Sequence, residues 1–168
     1  MNLIVACGLH KEIGKGNDLI WHIKDDMRLF KELTSDKTVV MGRKTLESLP
    51  NGKPLKNRNN IIFTRDENYV IDGAYVVHNI TELFDVIHKD LKIQDSSTVF
   101  VIGGASIYKM LINYCERAYI TKIYDTCADA DTYFCGLDYR WKKVSDDNIR
   151  TENGIEYEFE VYDNMELL

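Results

Sequence analysis

Long apolar runs are missing from this chain of 168 residues. A membrane-spanning helix needs about 20 consecutive apolar residues, and no stretch approaches that length, so we expect no membrane partner. The chain begins with a short apolar run that lacks the basic leader of a secretory signal. We therefore expect a cytoplasmic protein, and residues 3–7 are predicted to form its first strand.

Cysteine is scarce and irregularly spaced. The four cysteines, Cys7, Cys115, Cys127 and Cys135, show no C-x-x-C spacing and no nearby histidine pairing. Structural zinc sites depend on such spacings. We therefore expect no metal site, and reduced thiols in a cytosolic environment.

An excess of positive charge is also missing. The net charge of −6 at pH 7 disfavours a general nucleic-acid binder. Acidic residues are concentrated in the last quarter of the chain, and most of them are expected to lie on a solvated strand face. An anionic ligand would therefore need local basic residues that overcome this background.

Strand-like and helix-like segments alternate along the chain, which shows no repeat or linker and is predicted to form one domain, residues 1–168. Short apolar runs predict strands at 3–7, 38–41, 60–63, 75–77 and 98–102. Helices are predicted between them, at 24–33, 44–48, 81–91 and 106–114. Alternation of this kind predicts a three-layer α/β fold, in which a central, mostly parallel twisted sheet carries helices on both faces.

The last third of the chain predicts antiparallel strands. Residues 118–123 form one strand, and Asn153-Gly154 is typical of a tight hairpin turn. Apolar residues then alternate with acids from Ile155 to Tyr162. Because charged residues at a sheet edge discourage aggregation, this pattern favours an antiparallel hairpin at the C-terminal edge of the sheet.

Asp26 stands where the predicted helix 24–33 needs an apolar residue. Leu29, Phe30 and Leu33 lie on one stripe, and Asp26 falls on that stripe, whereas Asp25 faces solvent. A buried carboxylate needs hydrogen bonds, a shifted pKa or a ligand. A carboxyl group in an apolar cleft suits proton transfer or cation recognition. The alternative is an aspartate that the helix dipole favours in the first turn, and Asp26 alone does not decide between the two.

The segment 10–21, which leads into this helix, contains spaced glycines and no clear periodicity. It is either a mobile cover over a site or an ordinary surface connection.

Two predicted strands are followed by glycine and the start of a helix. Gly103 and Gly104 follow one strand, and Gly42 with Arg43 follows another. Glycine lets the backbone approach a phosphate closely, and helix N-termini attract anions. The pattern is not the G-x-G-x-x-G fingerprint of dinucleotide-binding folds. Arg65 adds a further cation at a strand's carboxyl end, where ligands of α/β sheets collect, so together these features favour a nucleotide cofactor.

Five collinear blocks resemble the dihydrofolate reductase family. They are Ile13-Gly14 with residues 17–21 and Asp26-x-x-x-Phe30; Met41-Gly42-Arg43-Lys44-Thr45-x-Glu47-Ser48; Pro54-Leu55-x-x-Arg58-x-Asn60; Val101-Ile102-Gly103-Gly104-x-x-Ile107-Tyr108; and Asp131-Thr132-x-Phe134. Their order, their separations and the chain length all fit that family.

The resemblance implies reduction of 7,8-dihydrofolate to tetrahydrofolate by NADPH in one-carbon metabolism, with hydride transfer to C6 and protonation at N5. Asp26 would bind the pterin and promote the protonation, and antifolate inhibitors would bind the same cleft. The catalytic residues implied are Asp26, Trp21, Tyr108 and Thr121. The substrate-binding residues implied are Ile4, Val5, Ala6, Asp26, Phe30, Leu49, Leu55, Arg58, Ile102 and Thr121, with Arg58 pairing with the α-carboxylate of the folate glutamate.

For the cofactor, the resemblance implies a pyrophosphate cradle around Gly103 and Gly104. Arg43, Thr64 and Arg65 would surround the 2′-phosphate, which favours NADPH over NADH. The cofactor-binding residues implied are Ala6, Ile13, Gly14, Asn17, Leu19, Gly42, Arg43, Lys44, Thr45, Phe63, Thr64, Arg65, Ile102, Gly103, Gly104, Ala105, Ser106, Ile107 and Tyr108. Nothing in the sequence demands an oligomer, so we expect a monomer.

Some positions depart from the common pattern of the family, since Ile20, Lys24 and Cys135 stand where proline is frequent. Two other functions compete with the reductase. A non-catalytic nucleotide-binding module would have little use for an inward carboxylate. A relative that reduces a pyrimidine intermediate of riboflavin synthesis would leave the block from Pro54 to Arg58 without its glutamate-binding role.

Overall fold

The computed structural model describes residues 1–145 and 147–167. The elements, in chain order, are β1 (Asn2–Cys7), β2 (Glu12–Lys15), β3 (Asp18–Leu19), α1 (Lys24–Thr34), β4 (Thr38–Gly42), α2 (Arg43–Ser48), β5 (Asn59–Phe63), β6 (Tyr75–Val77), α3 (Ile80–Asp85), β7 (Val99–Gly103), α4 (Ala105–Leu111), β8 (Arg117–Ile123), β9 (Thr132–Tyr133), β10 (Trp141–Lys143), β11 (Arg150–Glu152) and β12 (Ile155–Asn164). Among the described residues, no helix is long and apolar enough to cross a membrane.

The main sheet has the strand order β10–β12–β8–β1–β7–β4–β5–β6, and β11 pairs with β12. All neighbouring pairs from β8 to β6 are parallel, whereas β12 runs antiparallel to β8, β10 and β11. The predicted mostly parallel sheet with antiparallel strands at one edge is therefore confirmed.

Helices cover both faces of this sheet, as predicted. Side chains alternate along β1, so that Leu3 and Val5 join one core and Ile4 joins the other. The Leu3 core includes residues of α3 and α4, such as Leu83 and Leu111. The Ile4 core includes residues of α1 and α2, and it borders the cleft described below.

Two predicted helices differ in their ends. The predicted helix 81–91 begins one residue earlier, at Ile80, and its α-helical part ends at Asp85, after which Val86–Asp90 form a π-helical turn. Its cap is Asn79, which accepts a hydrogen bond from the Glu82 backbone N–H at 2.9 Å, while the Glu82 carboxylate accepts one from the His78 N–H at 2.8 Å. This reciprocal cap satisfies the free amides, so the helix start predicted at Thr81 is wrong. The predicted helix 106–114 likewise ends at Leu111 and continues as a 3₁₀ turn.

The segment between β1 and α1 is not a structureless loop. β2 and β3 form a hairpin whose turn residues, Gly16 and Asn17, have φ angles of +58° and +60°. Positive φ at both turn residues matches the twist of a tight hairpin. β2 also pairs with β9, so the segment belongs to a separate three-stranded sheet.

The acidic C-terminal strand is partly buried. The turn at Asn153 and Gly154 is confirmed, with φ angles of +50° and +77°. β12 lies near the edge of the sheet, between β8 and the edge strand β10, and Glu158 and Glu160 are buried beside Lys143 at 3.5 and 2.9 Å. The hydrogen bond from Lys143 to Glu160 raises the pKa of the lysine to about 12. The expected solvated face is therefore wrong for these two acids, because β10 covers them and supplies a cation.

Replacing Lys143 with methionine should leave two buried carboxylates without their cation. We expect the free energy of unfolding at pH 7 to fall by about 1–3 kcal/mol, since the lysine is partly exposed and part of its charge is screened. This loss should shrink toward about pH 3, because the pKa of Glu158 is lowered from its usual 4.5 and its carboxylate takes up a proton only below that value. Urea unfolding at the two pH values measures both effects. Lys142→Met, at an exposed neighbouring position, is the control, and equal losses in both variants would contradict the role of Lys143.

Candidate active site

Asp26 lies in the first turn of α1 and faces the sheet, as predicted. Its Oδ1 accepts a hydrogen bond from Thr121 Oγ1 of β8 at 2.5 Å. Thr121 is paired in register with Ala6 of β1, so the bond connects α1 to the centre of the sheet. Burial raises the pKa of Asp26, and the bond from Thr121 opposes only part of that rise. A carboxyl group in this environment can keep a proton at a higher pH than an exposed aspartate.

Asp25, in contrast, does not face solvent as predicted. Its carboxylate lies 3.1 Å from both Arg150 Nη1 and the Tyr157 hydroxyl, and it also pairs with Arg28. Only 13% of its side chain is exposed. The prediction is wrong because the β11–β12 hairpin packs over this side of α1.

Ile4, Leu29 and Thr121 line a cleft beside the Asp26 hydrogen bond. Five of the residues implied as substrate contacts stay partly exposed. Four of them, Phe30, Leu49, Leu55 and Ile102, pack against the core that contains Ile4, and Ala6 packs with Ile23. Ile4 is buried in the core on the same face of the sheet. Val5 belongs to the core on the opposite face, so only its backbone remains available to this cleft.

Arg58 is fixed at the wall of the cleft by neutral groups. Its Nε donates to Thr34 Oγ1 at 3.0 Å, its Nη1 donates to the Lys56 carbonyl at 2.8 Å, and its guanidinium lies 5.9 Å from the centre of the Phe30 ring. Burial lowers its pKa, and no carboxylate of the described residues lies within ion-pair distance. The guanidinium is therefore oriented without a direct ion-pair partner among the described residues, and Asp36 favours its charge only from a distance. Such an arrangement suits recognition of a carboxylate.

Trp21 is held against the end of β1. Its Nε1 donates to Asp125 Oδ2 at 3.0 Å. A methyl group at position 8 would lie 2.5 Å from both the Trp21 ring and Glu12 Oε2, so glycine is required there. Asp125 could not be predicted as a partner, because nothing in the local pattern shows that two residues 104 positions apart in the chain are neighbours in space.

Tyr108 is buried in α4, and its hydroxyl donates to the Ile4 carbonyl at 2.7 Å. Burial raises its pKa. The hydroxyl is thus a neutral donor that anchors β1, and the catalytic role implied for Tyr108 stays a prediction.

The carboxyl ends of β7, β4 and β5 meet at one edge of the sheet. Met41 is paired in register with Gly103, and Gly42 with Phe63. A methyl group at Gly42 would lie 3.2 Å from Ile107, and one at Gly103, where φ is +114°, would lie 3.1 Å from the Tyr108 ring. Packing against Ile107 and Tyr108 therefore requires glycine at these two positions. The residues implied for the diphosphate of a dinucleotide lie together at this edge.

Cations and hydroxyls flank this edge. Arg43 lies 3.6 Å from Glu47 and 4.0 Å from Asp66, with its guanidinium 5.7 Å from the centre of the Tyr69 ring. The other residues implied in phosphate binding are the exposed Lys44 and Arg65 and the half-buried Thr45 and Thr64.

His78 also lies at this edge, although no sequence motif indicated it. Its Nδ1 lies 2.8 Å from the Thr64 carbonyl, and it directly follows β6 at the same edge of the sheet. Like Arg65, it stands directly after a predicted strand, and that position is the sequence feature that indicates it.

The remaining residues implied for the cofactor are spread over three places. Ala105 and Ser106 begin α4 behind the glycines, whereas Phe63 and Ile107 are buried in the core. Ile13 and Gly14 lie on β2, and Asn17 and Leu19 are exposed on the β2–β3 hairpin. Asp131 tethers this hairpin, because its carboxylate accepts from the Gly16 N–H at 2.8 Å and its own N–H donates to the Gly14 carbonyl at 3.1 Å.

A glycine-lined, cation-flanked edge of a parallel sheet, beside an apolar cleft that holds a carboxyl group, is typical of an α/β enzyme that uses a nucleotide cofactor. Comparison with known proteins identifies the enzyme family. The family model described as dihydrofolate reductase matches residues 1–164, and the chain belongs to the dihydrofolate reductase family, whose members are NADP-dependent oxidoreductases.

Individual relatives agree. Dihydrofolate reductase of Bacillus subtilis is 36% identical over 166 residues, which cover 97% of this chain and 94% of that protein. The Schistosoma mansoni enzyme is also 36% identical, with 97% and 95% covered. A solved structure, that of Enterococcus faecalis dihydrofolate reductase complexed with NADP(H) and RAB-propyl, is 31% identical, has a TM-score of 0.81 and covers 96% of this chain and 94% of its own. Family membership favours the reductase over the non-catalytic module and the pyrimidine reductase.

Thr121→Val should raise the pKa of Asp26 further. The hydroxyl hydrogen bond favours the ionised carboxylate, so its loss leaves the effect of burial unopposed. A ¹³C NMR titration of the Asp26 carboxyl group in the ligand-free protein measures the change, and Asp26→Asn assigns the signal. A pKa that falls in the valine variant would contradict stabilisation of the ionised Asp26 carboxylate by the Thr121 hydroxyl.

Proposed function

We propose that this protein reduces 7,8-dihydrofolate to 5,6,7,8-tetrahydrofolate with NADPH, by hydride transfer to C6 and a protonation at N5 that Asp26 promotes. The observation that carries the proposal is Asp26 itself, a carboxyl group of raised pKa held by Thr121 in an apolar cleft. The cleft lies beside a sheet edge that fits a dinucleotide, and the Enterococcus relative is complexed with NADP(H).

Asp26 would act on the pterin in two ways. Its carboxyl group would bind the pterin amino group and a ring nitrogen, and it would supply the local acidity that N5 protonation needs. A general acid works best when its pKa lies near the working pH, and burial moves the pKa of Asp26 in that direction. Thr121 would hold the carboxyl group in one orientation, while the apolar walls exclude water from the reacting atoms.

The cofactor, when bound, supplies the hydride. The backbone at Gly42, Gly103 and Gly104 would accommodate its diphosphate, and Arg43, Thr64 and Arg65 would surround the 2′-phosphate. Arginine suits this task because its planar fork binds phosphate oxygens in pairs.

Arg58 would bind the α-carboxylate of the folate glutamate. Its guanidinium is already oriented by Thr34 and Lys56 and has no ion-pair partner in the described part of the chain. Antifolates that carry the same pterin-like and acidic groups would bind the same cleft. We further propose that the protein acts in one-carbon metabolism as a cytoplasmic, single-domain monomer.

Asp26→Asn should fold normally and lose most of its turnover at neutral pH. We expect kcat to fall by about 10²–10⁴, the usual contribution of a general acid. In the wild type, kcat should decline as pH rises through the pKa of Asp26, and this decline should disappear in the variant. The oxidation of NADPH on addition of dihydrofolate measures both. Activity within about twofold of wild type would show that Asp26 is structural.

Arg65→Gln should weaken the use of NADPH much more than that of NADH. Loss of a charged contact to the 2′-phosphate should raise KM for NADPH about tenfold or more, while NADH, which lacks that phosphate, serves as the internal control. Steady-state kinetics with both cofactors provide the measurement. Equal changes in the two KM values would remove Arg65 from the 2′-phosphate site.

A further inference from the structure

The helix that carries Asp26 has no cap of its own. Ile23 stands at the N-cap position of α1 and offers no side-chain acceptor to the free amides of the first turn. Helices normally fill this position with serine, threonine, aspartate or asparagine, whose oxygen satisfies one of those amides. The amides of α1 must therefore find an acceptor elsewhere.

Glu152 supplies it from the far end of the chain. One carboxylate oxygen accepts from the Lys24 N–H at 2.8 Å, and the other accepts from the Asp25 N–H at 3.3 Å. Glu152 is the last residue of β11, immediately before the hairpin turn. A negative charge at this end of the helix also interacts favourably with the helix dipole.

The same hairpin holds the side chain of Asp25. Arg150 of β11 and Tyr157 of β12 both contact its carboxylate at 3.1 Å. The backbone and the side chain of the residue just before Asp26 are thus both bound by one hairpin. Asp26 itself faces the opposite way, toward Thr121.

We propose that Glu152 is a positioning residue, which fastens the first turn of α1 to the C-terminal hairpin and thereby keeps Asp26 in its water-poor cleft. The inference deepens the proposed function and rests on it, because the importance of the position of Asp26 follows from the reaction.

Several titratable and charged groups lie around Asp26 and the first turn of α1. The charge of Asp26 interacts with Tyr108 of α4 and Tyr157 of β12. Asp25, Arg28, Arg150 and Glu152 surround the same turn. The shift of the pKa of Asp26 nevertheless has two causes, burial and the bond from Thr121. Removing the cap should let water reach the carboxyl group, and the pKa of Asp26 should then fall toward that of an exposed aspartate.

The test compares three variants of the full chain. Glu152→Ala removes both acceptors, Glu152→Gln keeps one of them, and Glu156→Ala removes an exposed acid from the same hairpin. A ¹³C titration of the Asp26 carboxyl group in the ligand-free protein is compared with the pH profile of kcat.

We expect Glu152→Ala to lower the Asp26 pKa, to move the pH profile of kcat to lower pH, and to reduce kcat at pH 7 by about threefold to tenfold. The KM for NADPH should stay within about twofold of wild type. Glu152→Gln should show a smaller change in the same direction, and Glu156→Ala none.

A merely structural role would lower the melting temperature of Glu152→Ala while leaving the titration and the pH profile unchanged, and that result would overturn the proposal. If Glu152→Ala does not fold, the titration of Glu152→Gln decides, and a pKa equal to that of wild type overturns it. If the turnover of the wild-type protein does not depend on Asp26, the proposed function itself is refuted. The titration of the ligand-free protein distinguishes failure of the Glu152 proposal from failure of the proposed function, because the titration needs no reaction.

Discussion

Parallel pairing of β8, β1, β7, β4 and β5 is the constraint on which both parts of the site depend. Because these strands run in one direction, their carboxyl ends meet at a single edge, and the loops that follow them become neighbours. The register Met41–Gly103 and Gly42–Phe63 brings the glycines and the cations together. The register Ala6–Thr121 places a hydroxyl opposite the first turn of α1. A slip of one residue would turn Ile4 and Thr121 to the other face and separate the carboxyl group from its partner.

Asp25 and Asp26 are adjacent in the chain, but their surroundings give the two carboxyl groups different properties. Asp25 is compensated by Arg28, Arg150 and Tyr157, so it binds the helix to the hairpin. Asp26 has one neutral partner and an apolar surrounding, so burial dominates and its pKa rises. In the proposed function, the proton is handled by the aspartate with fewer partners, since a carboxylate that is paired with cations has little tendency to hold a proton.

Local patterns predicted the six parallel strands, β1, β4, β5, β6, β7 and β8, to within a residue at either end, because apolar runs of strand length in an α/β chain have few other uses. They did not predict the short strands β2, β3, β9 and β10. They also predicted the inward direction of Asp26 and the turn at Asn153. They failed where one segment changes the environment of another. Glu158 and Glu160 are buried because β10 supplies Lys143, and Asp25 is covered because a hairpin from the far end of the chain packs on α1. Such contacts leave no trace in local periodicity.

The sequence by itself determined the alternation of strands and helices, the glycines at the strand ends and the placement of one carboxylate on an apolar stripe. Each of these depends on backbone geometry over a few residues, and the family resemblance added roles to them. Only the tertiary structure decided which distant groups meet: Thr121 with Asp26, Asp125 with Trp21, and Glu152 with the start of α1. These pairs are 95, 104 and 128 residues apart in the chain, and only the packing of the sheet and its helices brings them within hydrogen-bond distance.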